Sequence, residues 1–183
     1  MKDLYVTWNQ YHDLIEDLCV KVHDSGWEFD HILCLARGGL RIGDVFSRVF
    51  DKPLAILTTS SYRENAGTTQ STLMIAEHFT SATPSMGKKL LLVDDMADSG
   101  KTIVKVLEHL RQKYPQIEEI RTAVLWHKGH SIYAPDYAVQ MLPTNPWIHQ
   151  PFELYDNMRP ETLIRRATHR REDGASKPTP EQD

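Results

Sequence analysis

Four apolar residues run directly into two adjacent carboxylates in the stretch Leu90-Leu91-Leu92-Val93-Asp94-Asp95-Met96-Ala97-Asp98-Ser99-Gly100-Lys101-Thr102. The apolar run is typical of a buried parallel strand, and the small and hydroxyl residues that follow predict a loop opening a helix. Ligands of open α/β sheets bind at this end of the strands. Carboxylates suit a divalent cation and sugar hydroxyls, and the turn suits a phosphate, so the stretch predicts a site for a phosphorylated sugar.

Composition narrows the class of protein. A chain of 183 residues with 40% hydrophobic and 25% charged residues is typical of one globular domain. A net charge of −4 does not favour binding to nucleic acid or to membranes. We therefore expect no stable nucleic acid partner. The N-terminus lacks a signal-peptide pattern, and the two cysteines, Cys19 and Cys34, form no disulfide framework. We therefore expect a cytoplasmic protein in which Cys34 is a small buried residue.

Hydrophobic periodicity predicts strands that alternate with helices. Thr7 and Gln10 have the spacing of a capping box, and Gly26 marks the end of the first helix. Predicted helices begin at residues 8, 40 and 100, and predicted strands cover residues 31–35, 54–57, 73–76, 90–93, 120–126 and 137–141. The alternation predicts an α/β domain with a mostly parallel sheet flanked by helices.

The loop at residues 94–102 admits other interpretations. A Walker A loop would need its first glycine at Asp95, so the Gly100-Lys101-Thr102 match fails. The D-D-x-x-D spacing also occurs in prenyl-diphosphate enzymes, but there it lies on a helix, whereas here a strand precedes it. A solvated acidic turn, with Asp98 or Ser99 as the N-cap of the next helix, stays open on physical grounds alone.

A second loop, Ala36-Arg37-Gly38-Gly39, also joins a predicted strand to a predicted helix. Its glycines let the backbone approach a ligand closely, and Arg37 offers a bidentate grip on phosphate oxygens. Such a turn needs no ligand when taken alone. Together, the two loops fit a substrate with phosphate at one end and pyrophosphate at the other.

Residues 93–102 resemble the phosphoribosyl-pyrophosphate (PRPP) loop of type I phosphoribosyltransferases, and further segments resemble the bacterial xanthine–guanine members of that family. These segments are Tyr5-Val6-Thr7-Trp8, Ala36-Arg37-Gly38-Gly39-Leu40, Ser60-Ser61-Tyr62, Lys128 followed by Pro135-Asp136-Tyr137, and Trp147-Ile148-His149-Gln150-Pro151. The resemblance spans residues 4–156 and implies the fold of that family with a small base-binding hood. It divides the chain into a phosphoribosyltransferase domain (1–156), a basic helical extension (157–169) and a tail (170–183) that its polar composition predicts to be disordered.

The resemblance implies roles for residues that would bind PRPP. Asp94 and Asp95 would hold the ribose hydroxyls and Mg²⁺, a metal that prefers hard oxygen ligands. The 5′-phosphate would lie in the turn formed by Asp98, Ser99, Gly100, Lys101 and Thr102. Arg37 and Gly38 would bind pyrophosphate, and the peptide bond before Arg37 is often cis in this family.

The same resemblance implies how a purine would bind. Lys128 would donate to the oxygen at C6, Trp147 would stack on the base, and the backbone of Ile148 would reach the N1/C2 edge. Asp98 would act as the general base near N7. Ser60, Ser61 and Tyr62, with the polar run to Ser71, would form a mobile hood that excludes water.

Two departures from the family pattern stand out. Lys101 occupies a position where close relatives usually have glycine, and Lys128 is not followed by proline. The spacing of His127 and His130 is weak evidence for a metal site, because no further ligand pair is near.

The resemblance thus implies a Mg²⁺-dependent purine salvage enzyme that joins guanine, xanthine or hypoxanthine to PRPP, as a homodimer or homotetramer. The alternatives are a regulatory protein on the same fold that senses PRPP or nucleotides, and a phosphoribosyltransferase for another acceptor base.

Overall fold

The computed structural model describes residues 3–62, 72–83 and 85–175. Within them the strands are β1 (Leu4–Tyr5), β2 (His31–Ala36), β3 (Leu54–Tyr62), β4 (Thr72–Ile75), β5 (Thr80–Ser81), β6 (Lys89–Ala97), β7 (Glu119–Lys128), β8 (Tyr137–Leu142) and β9 (Ile148–His149). The helices are α1 (Trp8–Asp24), α2 (Leu40–Phe50), α3 (Lys101–Lys113) and α4 (Pro160–Ala175), and Glu153–Tyr155 forms a 3-10 turn.

The main sheet is mostly parallel, as predicted. Its order is β4-β3-β2-β6-β7-β8, with β5 paired to β3. All pairings from β3 through β2, β6 and β7 to β8 are parallel, whereas β4 and β5 pair antiparallel with β3. The short strands β1 and β9 form a separate parallel pair. The carboxyl ends of the central parallel strands therefore face the same edge of the molecule.

Helices cover both faces of this sheet, which explains the uninterrupted apolar run in β6. Leu91 and Val93 belong to the buried cluster that includes residues of α1 and α2. Leu90 and Leu92 belong to the cluster that includes residues of α3. Because successive side chains of a strand point to opposite faces, a strand covered on both sides needs apolar residues at every position.

Two strands extend further than their apolar runs predicted. The prediction that β6 ends at Val93 is wrong, since the strand continues to Ala97, which lies opposite His127 of β7. Asp94 and Asp95 are therefore at the end of a strand rather than in a loop. Similarly, β3 continues past residue 57 to Tyr62. The strand–strand hydrogen bonds join backbone groups, so they can continue where the side chains become polar.

The helix starts differ from one another. At α1 the predicted capping box is confirmed: the Gln10 amide donates to Thr7 Oγ1 at 3.3 Å, and the Thr7 amide donates to Gln10 Oε1 at 2.9 Å. At α3 the N-cap is Gly100, without a side-chain cap hydrogen bond, so neither Asp98 nor Ser99 is the N-cap.

The C-terminal helix α4 runs to Ala175, so the expected disorder is wrong for residues 170–175. Arginine, glutamate and alanine have favourable helix propensities, which offset the lack of apolar residues there. Residues 176–183 of the predicted tail lie outside the described part of the chain. No helix among the described residues is both long and apolar enough to cross a membrane.

Candidate active site

A cleft of about 530 Å³ lies at the carboxyl ends of the central strands. The predicted site residues that line it are Arg37, Gly38, Asp94, Asp95, Asp98, Thr102, Lys128, Trp147 and Ile148. They come from separate segments of the sequence, which the parallel sheet and the β1–β9 pair bring to one place. This is the position at which open α/β sheets bind ligands.

Asp94 and Asp95 form an acidic pair in this cleft. The Asp95 amide donates to Asp94 Oδ1 at 3.0 Å, and Gln150 Nε2 donates to Asp95 Oδ2. Burial raises the pKa of Asp94 well above its usual range, and the neighbouring charge of Asp95 adds to this. Burial also raises the pKa of Asp95, while the hydrogen bond from Gln150 opposes the shift. Two such carboxylates favour a cation, because a positive charge offsets their mutual repulsion.

The loop after β2 touches the acidic pair. A Cβ atom on Gly38 would lie 2.6 Å from Asp95 Oδ1, so only glycine lets the two segments approach this closely. The peptide bond between Ala36 and Arg37 is cis, as is frequent in the family that the sequence resembles. The exposed Arg37 guanidinium forms an ion pair with Asp156 at 3.5 Å.

Asp98 lies beside two nitrogen-bearing side chains of the segment that ends β7. Lys128 Nζ is 3.0 Å from Asp98 Oδ1, and His130 Nε2 is 3.4 Å from the same oxygen. The Lys128 side chain is only 7% exposed, whereas that of Asp98 is 55% exposed. Asp98 is thus open to a ligand while a buried ammonium group holds it in place. The sequence had suggested His130 only as half of a weak metal site.

The turn between Asp98 and α3 has a backbone that requires glycine. Gly100 has φ +75°, and a Cβ there would lie 2.5 Å from Ser131 Oγ. The Ile132 amide donates to the Ser99 carbonyl at 3.0 Å, and the Lys101 amide lies 3.4 Å from Ser99 Oγ. The hydrogen bond from Ile132 holds the turn against the segment after β7, and Thr102, at the start of α3, lines the cleft.

Trp147 and Ile148 form another wall of the cleft. Trp147 is 60% exposed, whereas Ile148 is 3% exposed. The Leu4 amide donates to the Trp147 carbonyl at 2.8 Å, so the N-terminal strand holds this segment. An indole ring of this kind offers a stacking surface for a planar ligand.

The predicted hood is only partly described. Ser60, Ser61 and Tyr62 lie in β3, paired with β4. Thr59 and Leu73, from β3 and β4, line the cleft. Residues 63–71 lie outside the described part of the chain, and the hood's mobility stays a prediction.

Several lining residues had no role in the sequence-based hypothesis. They are Arg41, Gln150, Phe152, Glu153, Tyr155 and Asp156. Gln150 lies within a segment that carries the family resemblance, and this resemblance could have identified it as a site residue. Arg41 follows Arg37 by four positions, but the helical pattern of this segment did not distinguish Arg41 from a surface arginine.

Residues 7–157 match the phosphoribosyl transferase domain. The chain belongs to the phosphoribosyl transferase family. The xanthine-guanine phosphoribosyltransferase of Idiomarina loihiensis is 23% identical over 155 residues, which cover 84% of this chain and 89% of that protein.

Solved structures agree with this assignment. A purine phosphoribosyltransferase from Pyrococcus horikoshii has a TM-score of 0.67 at 29% identity, covering 83% of this chain and 95% of that one. The Helicobacter pylori xanthine-guanine-hypoxanthine phosphoribosyltransferase has a TM-score of 0.69 at 22% identity, with coverages of 92% and 100%. The resemblance drawn from the sequence motifs and the predicted fold class are therefore confirmed. In this phosphoribosyl transferase, the cleft lies at the end of the sheet that the motifs indicated.

Proposed function

We propose that this protein is a Mg²⁺-dependent purine salvage enzyme that transfers the phosphoribosyl group of PRPP to a 6-oxopurine. The acceptor would be guanine, xanthine or hypoxanthine, and the products would be the nucleoside 5′-monophosphate and pyrophosphate. The observation that carries this proposal is the cleft in which the acidic pair, the Lys128–Asp98 pair, Trp147 and Arg37 meet. Cytoplasmic location stays a prediction from the composition, and assembly into dimers or tetramers stays a prediction from the family resemblance.

The acidic pair suits the ribose of PRPP and a magnesium ion. The described residues hold no group of three or more His, Cys, Asp or Glu side chains placed for a metal. Magnesium does not need one, since it commonly binds one or two carboxylates together with substrate oxygens and water. Asp94 and Asp95 would therefore hold the ion jointly with PRPP. When bound, the ion would neutralise charge that develops on the departing pyrophosphate.

The two ends of PRPP suit the two loops. The turn of residues 98–102 would bind the 5′-phosphate through backbone N–H groups and the Thr102 hydroxyl at the start of α3. Arg37 and Gly38, beside the acidic pair, would bind the pyrophosphate group. Because Arg37 pairs with Asp156, pyrophosphate would replace that carboxylate as its partner.

The purine would lie between Trp147 and the Lys128–Asp98 pair. Lys128 would donate to the oxygen at C6, a bond that the amino group of adenine cannot accept. The lone pair of N9 would attack C1 of the ribose as the bond from C1 to the pyrophosphate oxygen breaks. Pyrophosphate would leave with the electron pair of that bond, and the proton at N7 would pass to Asp98.

Turnover assays test the proposal. Purified protein with Mg²⁺ and PRPP should convert at least one of guanine, xanthine and hypoxanthine to its monophosphate and leave adenine unconverted. Chelation of the metal should abolish the reaction. Asp98→Asn should lower kcat by about 10²- to 10⁴-fold, the usual size of general-base catalysis, with little change in the KM for PRPP.

Asp44→Asn provides a matched control, because Asp44 pairs with Arg48 on the surface of α2. Failure to convert any of the three 6-oxopurines would contradict the proposal, and PRPP binding without turnover would favour the regulatory alternative. An unchanged kcat in Asp98→Asn would remove the assignment of Asp98 as the base.

A further inference from the structure

Arg41 is a cation in the cleft to which neither the sequence motifs nor the proposed mechanism gives a role. It lies in the first turn of α2, four positions after Arg37. The cleft also contains two other cations, Arg37 and Lys128, and its carboxylates are Asp94, Asp95, Asp98, Glu153 and Asp156. An added anion binds most readily to a cation that has no carboxylate partner to lose.

Arg37 and Lys128 both have carboxylate partners. Arg37 pairs with Asp156 at 3.5 Å, and Lys128 pairs with Asp98 at 3.0 Å. By contrast, Arg41 forms no ion pair with any residue in the ranges 3–62, 72–83 and 85–175. Among the cleft cations in the described chain, Arg41 alone keeps its positive charge unpaired.

Aromatic rings hold the Arg41 guanidinium in place. Its Cζ lies 4.4 Å from the centroid of the Phe152 ring and 5.6 Å from that of Trp8. The Phe152 ring packs edge-on against Tyr11 at 5.6 Å, so the rings form a connected support. A guanidinium whose carbon lies over an aromatic ring can still donate hydrogen bonds through its N–H groups. Lysine cannot combine such stacking with bidentate donation.

We propose that Arg41 is a second pyrophosphate-binding residue, which donates to the diphosphate oxygens of PRPP together with Arg37. This inference rests on the proposed function, since it assigns a residue to the pyrophosphate group of the same substrate. Arginine binds phosphate oxygens in a bidentate manner. An unpaired and already positioned guanidinium can do so without giving up another ion pair, and it remains beside the group as negative charge grows on the departing pyrophosphate.

Calorimetric titration with inorganic pyrophosphate and Mg²⁺ tests this assignment without turnover. Arg41→Gln should raise the Kd for Mg-pyrophosphate by about 10- to 100-fold, the usual range for hydrogen bonds to charged groups. Arg41→Lys should cause a smaller loss, because it keeps the charge without the fork. Phe152→Leu should also weaken binding, by less than Arg41→Gln, because it removes the ring and leaves the cation.

Arg48→Gln is the matched control, since it removes an arginine of the same helix that pairs with Asp44 at 3.0 Å. It should leave the Kd for Mg-pyrophosphate unchanged. Binding of guanosine monophosphate, which has no pyrophosphate group, should change by less than about twofold in Arg41→Gln, and the KM for PRPP should rise in step with the Kd for pyrophosphate.

The outcomes separate this inference from the proposed function. If Arg41→Gln binds Mg-pyrophosphate as the wild type does and only its Tm falls, Arg41 merely joins α2 to the aromatic rings and the inference is wrong. The inference is also wrong if the wild type does not bind Mg-pyrophosphate. If the wild type binds it, Arg41→Gln does not, and no 6-oxopurine is converted, the Arg41 assignment holds while the proposed reaction fails.

Discussion

The side chain of Gln150 contacts Asp95 across a sequence separation of 55 residues. Gln150 is only 5% exposed, and its amide donates to the carboxylate that we assign to ribose and Mg²⁺. The carbonyl oxygen of the same side chain is buried without a partner in the described part of the protein. A glutamine held this tightly fixes the orientation of Asp95 and, through its hydrogen bond, lowers the pKa of that carboxyl against the effect of burial.

Gln150→Leu should therefore weaken PRPP binding. Loss of a hydrogen bond to a charged group costs about 1.5–3 kcal/mol, which predicts a KM for PRPP raised by roughly 10- to 100-fold. Because the lost bond had lowered the pKa of Asp95, a larger fraction of Asp95 will be protonated in the variant, and the defect should grow as the pH falls. Steady-state kinetics at several pH values measure both effects.

Gln140→Leu is a matched control for this variant. Gln140 accepts a hydrogen bond from Trp126 Nε1 at 2.9 Å and does not line the cleft. Its replacement should reduce stability and leave the KM for PRPP unaffected. Equal effects of the two substitutions on that KM would contradict a positioning role for Gln150.

At the scale of elements, the start of α2 depends on how closely it approaches two strands. A Cβ on Gly39 would lie 2.4 Å from the Val93 carbonyl oxygen and 3.0 Å from the Leu35 backbone. These are backbone atoms of β6 and β2, which cannot move aside without disturbing the sheet. The same turn carries Arg37 and Gly38, so packing of the helix against the strands also positions the candidate pyrophosphate site.

Gly39→Ala should lower the free energy of unfolding by about 1–3 kcal/mol, the usual cost of overpacking, and should also weaken Mg-pyrophosphate binding.

Gly26→Ala serves as the comparison. Gly26 has φ +67°, and a Cβ there would have nothing within 4 Å, so alanine would cost stability only through its backbone conformation. Denaturant titration and calorimetry measure the two quantities. If Gly39→Ala bound pyrophosphate as tightly as the wild type, the packing of α2 against the strands would not position the turn that carries Arg37 and Gly38.

At the scale of the whole molecule, the two ends of the parallel strands have different surroundings. The carboxyl ends of the strands border the cleft, whereas His31 lies at the amino end of β2, on the opposite side of the molecule. His31 is 3% exposed, and its Nε2 lies 2.7 Å from Thr83 Oγ1. Burial lowers the pKa of His31, and the nearby charge of Asp30 opposes that shift.

This histidine should make stability depend on pH. Its pKa is lower in the folded chain than in the unfolded one, where it is about 6.5, so the unfolded chain binds the proton more readily. The stability that neutral His31 provides is complete above the unfolded value and decreases as the pH falls from there towards the folded pKa. Urea titrations across this range should show a smaller pH dependence in His31→Gln than in the wild type.

His12→Gln, which removes an exposed imidazole from α1, controls for the loss of a histidine. If the wild type and His31→Gln lost stability equally as the pH fell, the burial of a neutral His31 would not be the cause.

Local features of the sequence were enough to predict most elements and the main ligand loop. The capping box at Thr7, the helical spacing and the uninterrupted apolar run before Asp94 all act between residues that are near in the chain. Such patterns indicate which faces of a helix or strand must be buried against other elements, and they therefore predicted a sheet with helices on both sides. The family motifs predicted which segments of the chain form the site. Arg37, Asp98 and Lys128 from these segments each lie at the end of a parallel strand or directly after one.

Only the tertiary structure decided which side chains meet in the cleft. The continuation of β6 through the acidic pair depends on its hydrogen bonds to β7, and the contacts of Gln150 with Asp95 and of Arg41 with Phe152 join distant segments. No local pattern encodes such contacts, because they follow from the packing of helices and strands against one another. The sequence by itself thus determined the fold and many of the chemical groups that line the cleft, while packing added the others and determined which groups are paired, buried or free.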